Sequence, residues 1–397
     1  MLKPLTFHGL HILHPARALR GRWRLWCIAM LSARQSSWST DFRKVCSELD
    51  TSSHMPVETV ASPTCLEVAF HDVWGMSPKK HHYVPETYLK GFSDAAGFLH
   101  VGRKDAPDRL IPLKPDNVGF KKYYYSQYDD AGVRDDRMEE LFGQIENGWS
   151  ALRSKIANWQ KLSPKDCEEL WLFIGAQRAR VPAARDMMES LLAHRSKADL
   201  MKLVGSNQIP PPPKELEGRL NELVVSIDPR KSIEGMPHLL RAVTKTFGKI
   251  GLRIFHNETG VPFLTSDNPV CIFDPTLRSK DLKPYVLTPG GPIELLFPID
   301  SFTLIGGRTD WRSDFAKRGP RHFKLRDKEV VLSTNRLIAR FAYEVLMGSC
   351  NNYLSLLKAY SGTSPVLQNV AGWSNKSADG VPTMGFGPRP QKPKWKG

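Results

Sequence analysis

Eight apolar side chains, Met138, Leu141, Phe142, Ile145, Trp149, Leu152, Ile156 and Trp159, recur at three- and four-residue spacing. That period belongs to a helix with one apolar face, so the chain must bury a helical layer against something. It predicts one long helix over Asp135–Gln160. Downstream, Ser163-Pro164-Lys165-Asp166 sets a serine N-cap, a proline in the first turn and an acid to follow. A second helix opens there, with Leu170, Trp171, Phe173 and Ile174 as its buried side. Pro182 ends or kinks it. A third helix is expected over Ala184–Val204. Beyond a stiff connector at Ile209–Pro213, two shorter helices are expected near Glu215–Ser226 and Pro237–Phe247.

The second half changes character. Leu252–His256, Val261–Thr265, Val270–Phe273, Ile293–Pro298 and Phe302–Ile305 are short β-favouring runs separated by Gly, Pro and Asp. A last helix over Leu332–Met347 would turn Leu337, Ile338, Phe341 and Val345 inward. Helices first and strands later predict an α+β fold: a helical layer from the first half, packed on a small mixed or antiparallel sheet from the second.

Three regions differ in composition. Residues 1–40 carry six Lys/Arg and no acid, a bias shared by organelle transit peptides and by an over-long reading frame upstream of a start at Met76. Residues 1–75 are therefore expected to be a leader outside the fold. Residues 76–360 are expected to form a single domain. The Gly-, Pro-, Ser- and Lys-rich stretch 361–397 has too little apolar surface to offset its ordering entropy and is expected to be a disordered basic tail.

The net charge of +15 suits a polyanionic partner. The middle region nevertheless keeps 43 Lys/Arg against 34 Asp/Glu over 285 residues, which is mild. No basic stripe with interleaved aromatics stands out along the chain, so a solvated basic surface stands beside a nucleic-acid footprint as a reading. The six cysteines lie singly, without a C-x-x-C pair, which fits a reducing cytoplasmic setting and argues against a zinc ribbon. No apolar run approaches the ~20 residues of a membrane span, so a membrane is excluded as partner. Nothing in the sequence sets an oligomeric state.

The common phosphate cradles, the H-E-x-x-H zinc motif and the G-x-S-x-G elbow are absent. His256-Asn257-Glu258 spells part of an HNH-type metal site, but equally a strand end entering the Thr259-Gly260 turn. Three polar clusters remain. In Lys79-Lys80-His81-His82-Tyr83-Val84-Pro85, adjacent strand histidines point to opposite faces. One can face a site while the other packs. On the second helix, Gln177 and Arg180 share a face at i, i+3 and continue the ridge of Phe173 and Ile174. A guanidinium beside an amide suits a carboxylate or phosphate, or an internal salt bridge. Thr265-Ser266-Asp267-Asn268-Pro269 either makes a tight turn whose side chains satisfy the backbone or offers a strand-end carboxylate for base or metal chemistry.

Together these clusters resemble the uncharacterised family known as domain of unknown function 4238. The resemblance rests on His81-His82-Tyr83-Val84-Pro85 with Leu89 and Phe92, on Gln177, Arg180 and Pro182, on Ser266 to Pro269, and on Asn335 in a late helix. It covers Lys79 to Tyr360 and implies no established activity. The family often has Gln after the first Pro, where this chain has Glu86, so an amide role there does not carry over. The pattern begins just after an initiator methionine in the family, which is what singles out Met76.

Two functions follow. One is a hydrolase acting on a phosphate ester or nucleic acid, with His82 and Asp267 as catalytic acid–base groups or ligands of a divalent metal. His81, Gln177, Arg180 and Asn268 would bind substrate, Arg180 as the anion clamp. The other is a non-catalytic module binding nucleic acid or another anionic ligand, its motif residues serving structural roles. Both expect Arg180 and Asp267 to lie together. A chain shortened to begin at Met76 is expected to melt at nearly the full-length temperature in calorimetry. A fall of many degrees would show that the leader packs on the core.

Overall fold

The N-cap at Ser163 forms as its sequence dictates: its Oγ accepts from the Asp166 amide and the Asp166 carboxylate accepts from the Ser163 amide. The helix it starts, Pro164–Ala179, is the spine of the helical layer. The computed structural model describes residues 5–7, 10–13, 79–128, 133–371 and 383–386, except 210, 213, 221–222, 278–281, 283–286 and 289. Most of the expected leader and tail lies outside these residues.

The apolar repeat before Ser163 is cut into two helices, Arg137–Asn147 and Trp149–Ala157. The break falls at Gly148, the poorest helix former available there apart from proline. Trp149, Leu152 and Ile156 are buried, whereas Ile145 is only half-buried. The Trp149 ring stacks on Phe173 of the spine at 3.8 Å. Pro182 both stops the spine and opens the next helix, Pro182–Gly205, two residues earlier than expected, since a missing amide costs nothing in a first turn.

The fold is α+β. A five-stranded sheet runs in the order Cys271–Phe273, Glu294–Asp300, Thr303–Arg308, Gly251–Asn257, Arg321–Leu325. Its pairs are antiparallel except the last, which is parallel. Phe297 of this sheet lies 6.3 Å from the Phe173 ring and 5.4 Å from Tyr88, so one sheet face meets the helical layer. The Tyr88 hydroxyl donates to the Pro298 carbonyl at 2.8 Å and shares a second 2.8 Å bond with Thr265 Oγ1. Tyr88, Leu89 and Phe92, which follow the histidine motif, are all buried in that core.

A second, antiparallel sheet has the order Thr265–Ser266, Val345–Gly348, Leu99–Arg103, Ala106–Leu113. The hairpin 99–113 is not signalled by its residues, because Pro107 and Pro112 mask a strand. They are tolerated because that strand is an edge. The expected helix Leu332–Met347 is a helix over Lys328–Phe341 followed by the strand Val345–Gly348. The run Val261–Leu264 is extended without a strand partner. The Asn335 side chain holds it, accepting from the Leu264 amide and donating to the Pro262 carbonyl.

The chain divides into two compact units: residues 50–184 with 239–365, which hold everything above except the helix 182–205, and residues 1–49, 185–238 and 366–397. Within the latter, the span of the expected helix Glu215–Ser226 holds a 3-10 turn, Lys214–Leu216, and a strand, Val224–Ile227. The β-branched run Val224-Val225-Ser226-Ile227 pairs with Leu10–Leu13, itself hairpinned to Leu5–Phe7. Leu200, Ile209, Leu216 and Leu223 form its core. Arg185 donates to Ser232, which donates to Glu189.

Candidate functional site

Two helix faces oppose each other where their apolar ridges turn polar. Phe142, Glu146 and Trp149 lie one turn apart along one side. Phe173, Gln177 and Arg180 lie likewise along the spine. Trp149 and Phe173 close the apolar end. At the polar end, Arg180 Nη1 donates to Glu146 Oε1 at 2.5 Å, and its guanidinium sits 5.1 Å over the Phe142 ring. Arg180 and Gln177 are both 0% exposed. Among the described residues, Arg180 Nε and Nη2 and both amide atoms of Gln177 have no hydrogen-bond partner. Each such group costs ~1–3 kcal/mol if left dry and unmet.

The histidine strand, Lys80–His82, covers this cluster, paired antiparallel with Phe120–Lys122. Its two histidines diverge as alternation requires. His81 is fully buried, and its Nδ1 accepts from the Tyr125 amide at 3.1 Å, so Nε2 carries the ring proton. Its ring stacks on Tyr125 at 5.9 Å, and the Tyr125 hydroxyl donates to the Arg180 carbonyl at 3.1 Å. The Glu139 carboxylate stands 3.9 Å from His81 Nδ1, too far for a hydrogen bond. Burial pushes the Glu139 carboxyl up to about 7. Arg180 opposes that rise, while Glu146 and Asp136 add to it.

His82 lies against Phe120 at 5.6 Å. Burial lowers its pKa below 6.5, and Arg180 lowers it further. Glu86, Glu146 and a hydrogen bond to the Asp116 carbonyl pull the other way. Its Nε2 is buried and has no hydrogen-bond partner among the described residues. Glu86 and Asp116 also line an open groove of about 420 Å³, with Lys90, Ser93, Asp94 and Lys114. Two of the groups that raise the His82 pKa thus stand at this groove.

Asp267 and Asn268 are engaged elsewhere. The buried Asp267 carboxylate accepts from the amides of Tyr343, Glu344 and Val345 at 2.8, 2.7 and 3.1 Å. Burial pushes its carboxyl up to about 6, against those donors and the charges of Lys104 and Lys121. Asn268 donates to the Phe341 carbonyl, and its amide donates to Ser266 Oγ. Among the described residues, no hydrogen bond or ion pair joins Asp267 to Arg180. The anionic partner that Arg180 needs is Glu146 instead. Glu139 and Glu146 escaped the motif reading, although seven-residue spacing puts both on the Phe142 face. Tyr125, last of three consecutive tyrosines, carried no signal at all.

Among the described residues, no group of three or more His, Cys, Asp or Glu is placed to hold a metal ion. The letters His256-Asn257-Glu258 are turn chemistry: Asn257 accepts from the Thr259 amide and hydroxyl and donates to the Val261 carbonyl. No described helix is long and apolar enough to cross a membrane. A family model described as a protein of unknown function, DUF4238, matches residues 80–351. No curated protein and no solved structure matches the chain.

Two outcomes are expected from these acids. Asp267→Asn places an NH2 against backbone donors, so it should destabilise by ~2–4 kcal/mol in urea unfolding. A change within ~0.5 kcal/mol would show that the clamp is dispensable. Glu139 binds its proton more tightly folded, about 7 against an ordinary 4.5. Its contribution is full below 4.5 and is lost as pH rises toward 7, by at most ~1.4 kcal/mol per pH unit. Glu139→Gln should flatten that decline in unfolding midpoints. Identical pH profiles for the two proteins would refute the assignment.

Proposed function

Taking as premise that this chain belongs to the DUF4238 family, whose description carries no activity, we propose that it binds a small ligand bearing a carboxylate or phosphate. The ligand would be held by Arg180 and Gln177, with His82 at its edge. One observation carries this reading: a fully buried guanidinium and a fully buried amide leave most of their hydrogen-bonding atoms without partners among the described residues. Internal structure alone would favour apolar side chains at such positions. An anion would engage Nε and Nη2 together, the bidentate geometry that distinguishes Arg from Lys. Glu146 already takes Nη1 and holds the fork in one orientation. The cysteines among the described residues, Cys167, Cys271 and Cys350, are free, which suits a cytoplasmic setting.

Hydrolysis of a phosphate ester is the second reading, favoured by Glu139. A carboxyl with pKa about 7 beside an anion site is matched to proton transfer at neutral pH. In it, Glu139 and His82 share the acid–base work, and Asp267 remains a backbone clamp.

Titration calorimetry with inorganic phosphate and with short dicarboxylates tests the binding reading. Arg180→Met should abolish heat release. Gln177→Leu should weaken binding yet stabilise the free protein by ~1–3 kcal/mol, since it removes an unmet buried amide. If Gln177→Leu instead destabilises strongly, the amide has a structural role and the binding reading fails. Phosphate release that Glu139→Gln abolishes while phosphate still binds would favour hydrolysis.

A further inference from the structure

The five-stranded sheet builds, on its other face, an arrangement that linear order hides. Ile254, Ile305 and Phe297 are cross-strand neighbours on the face that meets Phe173. By alternation Arg253, Phe255 and Gly306 point the opposite way. The parallel neighbour sets Arg321 beside Arg253 and Phe323 beside Phe255. Trp311, just past the strand Thr303–Arg308, folds over the same face. Its ring lies 5.9 Å from Phe255, and Phe255 lies 5.8 Å from Phe323. A Cβ on Gly306 would come within 2.8 Å of the Phe255 ring and 3.4 Å of Trp311. Glycine there lets both rings lie on the strand.

Arginines interleave these rings. The Arg253 guanidinium is 4.3 Å over Trp311 and 5.1 Å over Phe323; Arg308 is 5.4 Å over Trp311, and Arg321 is 5.3 Å over Phe323. The three rings are half-buried, and Arg308 and Arg321 are exposed. Arg321–Leu325 ends the sheet, so among the described residues the row runs to an open edge. The segment from Arg308 to Arg326 holds seven Lys/Arg against two acids. Those acids, Asp310 and Asp314, pair with Arg308, Arg318 and Arg321, and Glu258, just past the strand Gly251–Asn257, pairs with Lys324 and Arg326, so three acids meet the seven cations and an excess of positive charge remains.

We propose that this face binds single-stranded nucleic acid, with Trp311, Phe255 and Phe323 offering rings to unpaired bases and Arg253, Arg308 and Arg321 neutralising phosphates. Half-buried rings alternating with cations match a strand whose base faces are free, and a duplex hides those faces in its own stack. The surface shares no residue with the Arg180 cluster and stands or falls apart from it.

Fluorescence anisotropy of a labelled oligothymidylate of about 12 nucleotides against the full chain, between about 50 and 200 mM salt, tests this. Binding should weaken steeply with salt and exceed that of a duplex of equal length. Phe323→Ala should weaken it roughly 5- to 100-fold. Arg321→Gln, at a side chain 42% exposed and so harmless to folding, should reduce the salt slope by about 0.7. If Phe323→Ala does not fold, as judged by circular dichroism, the slope change at Arg321 decides the outcome. Absence of binding at low salt, equal binding of the duplex, an unchanged slope for Arg321→Gln, or tighter binding to phosphatidylserine vesicles would each overturn the proposal.

Discussion

The helix Lys328–Phe341 ends inside the protein, at a chain reversal over residues 340–345 that brings little water with it. A helix C-terminus there leaves carbonyls without partners and partial negative charge without a counter-charge. Lys104 supplies both: its ammonium donates to the Ala342 and Thr363 carbonyls at 2.7 and 2.9 Å and reaches that of Arg340 at 3.4 Å. Burial lowers the Lys104 pKa to about 8, and the nearby Asp267 opposes that fall. Asn268 takes the Phe341 carbonyl, and Asp267 takes the three amides that follow. The strand Val345–Gly348 starts from this reversal and pairs with strands on both sides. The second sheet therefore hangs on one buried acid, one amide and one ammonium.

That clamp gives a standard for judging the other buried polar centre. At Asp267 both carboxylate oxygens are met by backbone donors. Among the described residues, neither amide atom of Gln177 is met, and of the Arg180 nitrogens only Nη1 is. Both centres are polar, buried and built from motif residues, so burial and composition do not separate them. Satisfaction does. A saturated network fixes geometry, whereas an unsaturated one offers those same donors to something from outside.

Charge couples the members of each centre. Glu146 and Arg180 both act on Glu139 and His82, Glu146 raising and Arg180 lowering the pKa of each. In the clamp, Lys104 and Asp267 likewise oppose each other's shifts, while their hydrogen bonds go to backbone groups. Glu86 and Asp116, which act on His82, line the open groove.

Local signals in the sequence determined the start of the spine helix, because a serine cap, a first-turn proline and an acid act within one turn. They determined the α+β class, the apolar helical ridge and the divergence of His81 from His82, all consequences of period. They also singled out Arg180 as needing an anion. Only the tertiary structure decided which anion. Asp267 and Glu146 are equally good acids on paper, and the choice depends on which helix faces the spine and where the chain reverses after Phe341. The strand at Val224–Ile227 and the edge hairpin 99–113 likewise depend on partners distant in sequence, which override weak local preference. The row of arginines and aromatics is the clearest case. No window of the chain contains it, because sheet pairing brings residues 253–255, 306–311 and 321–323 side by side, and a strand's neighbours are set by long-range hydrogen bonds rather than by its own residues.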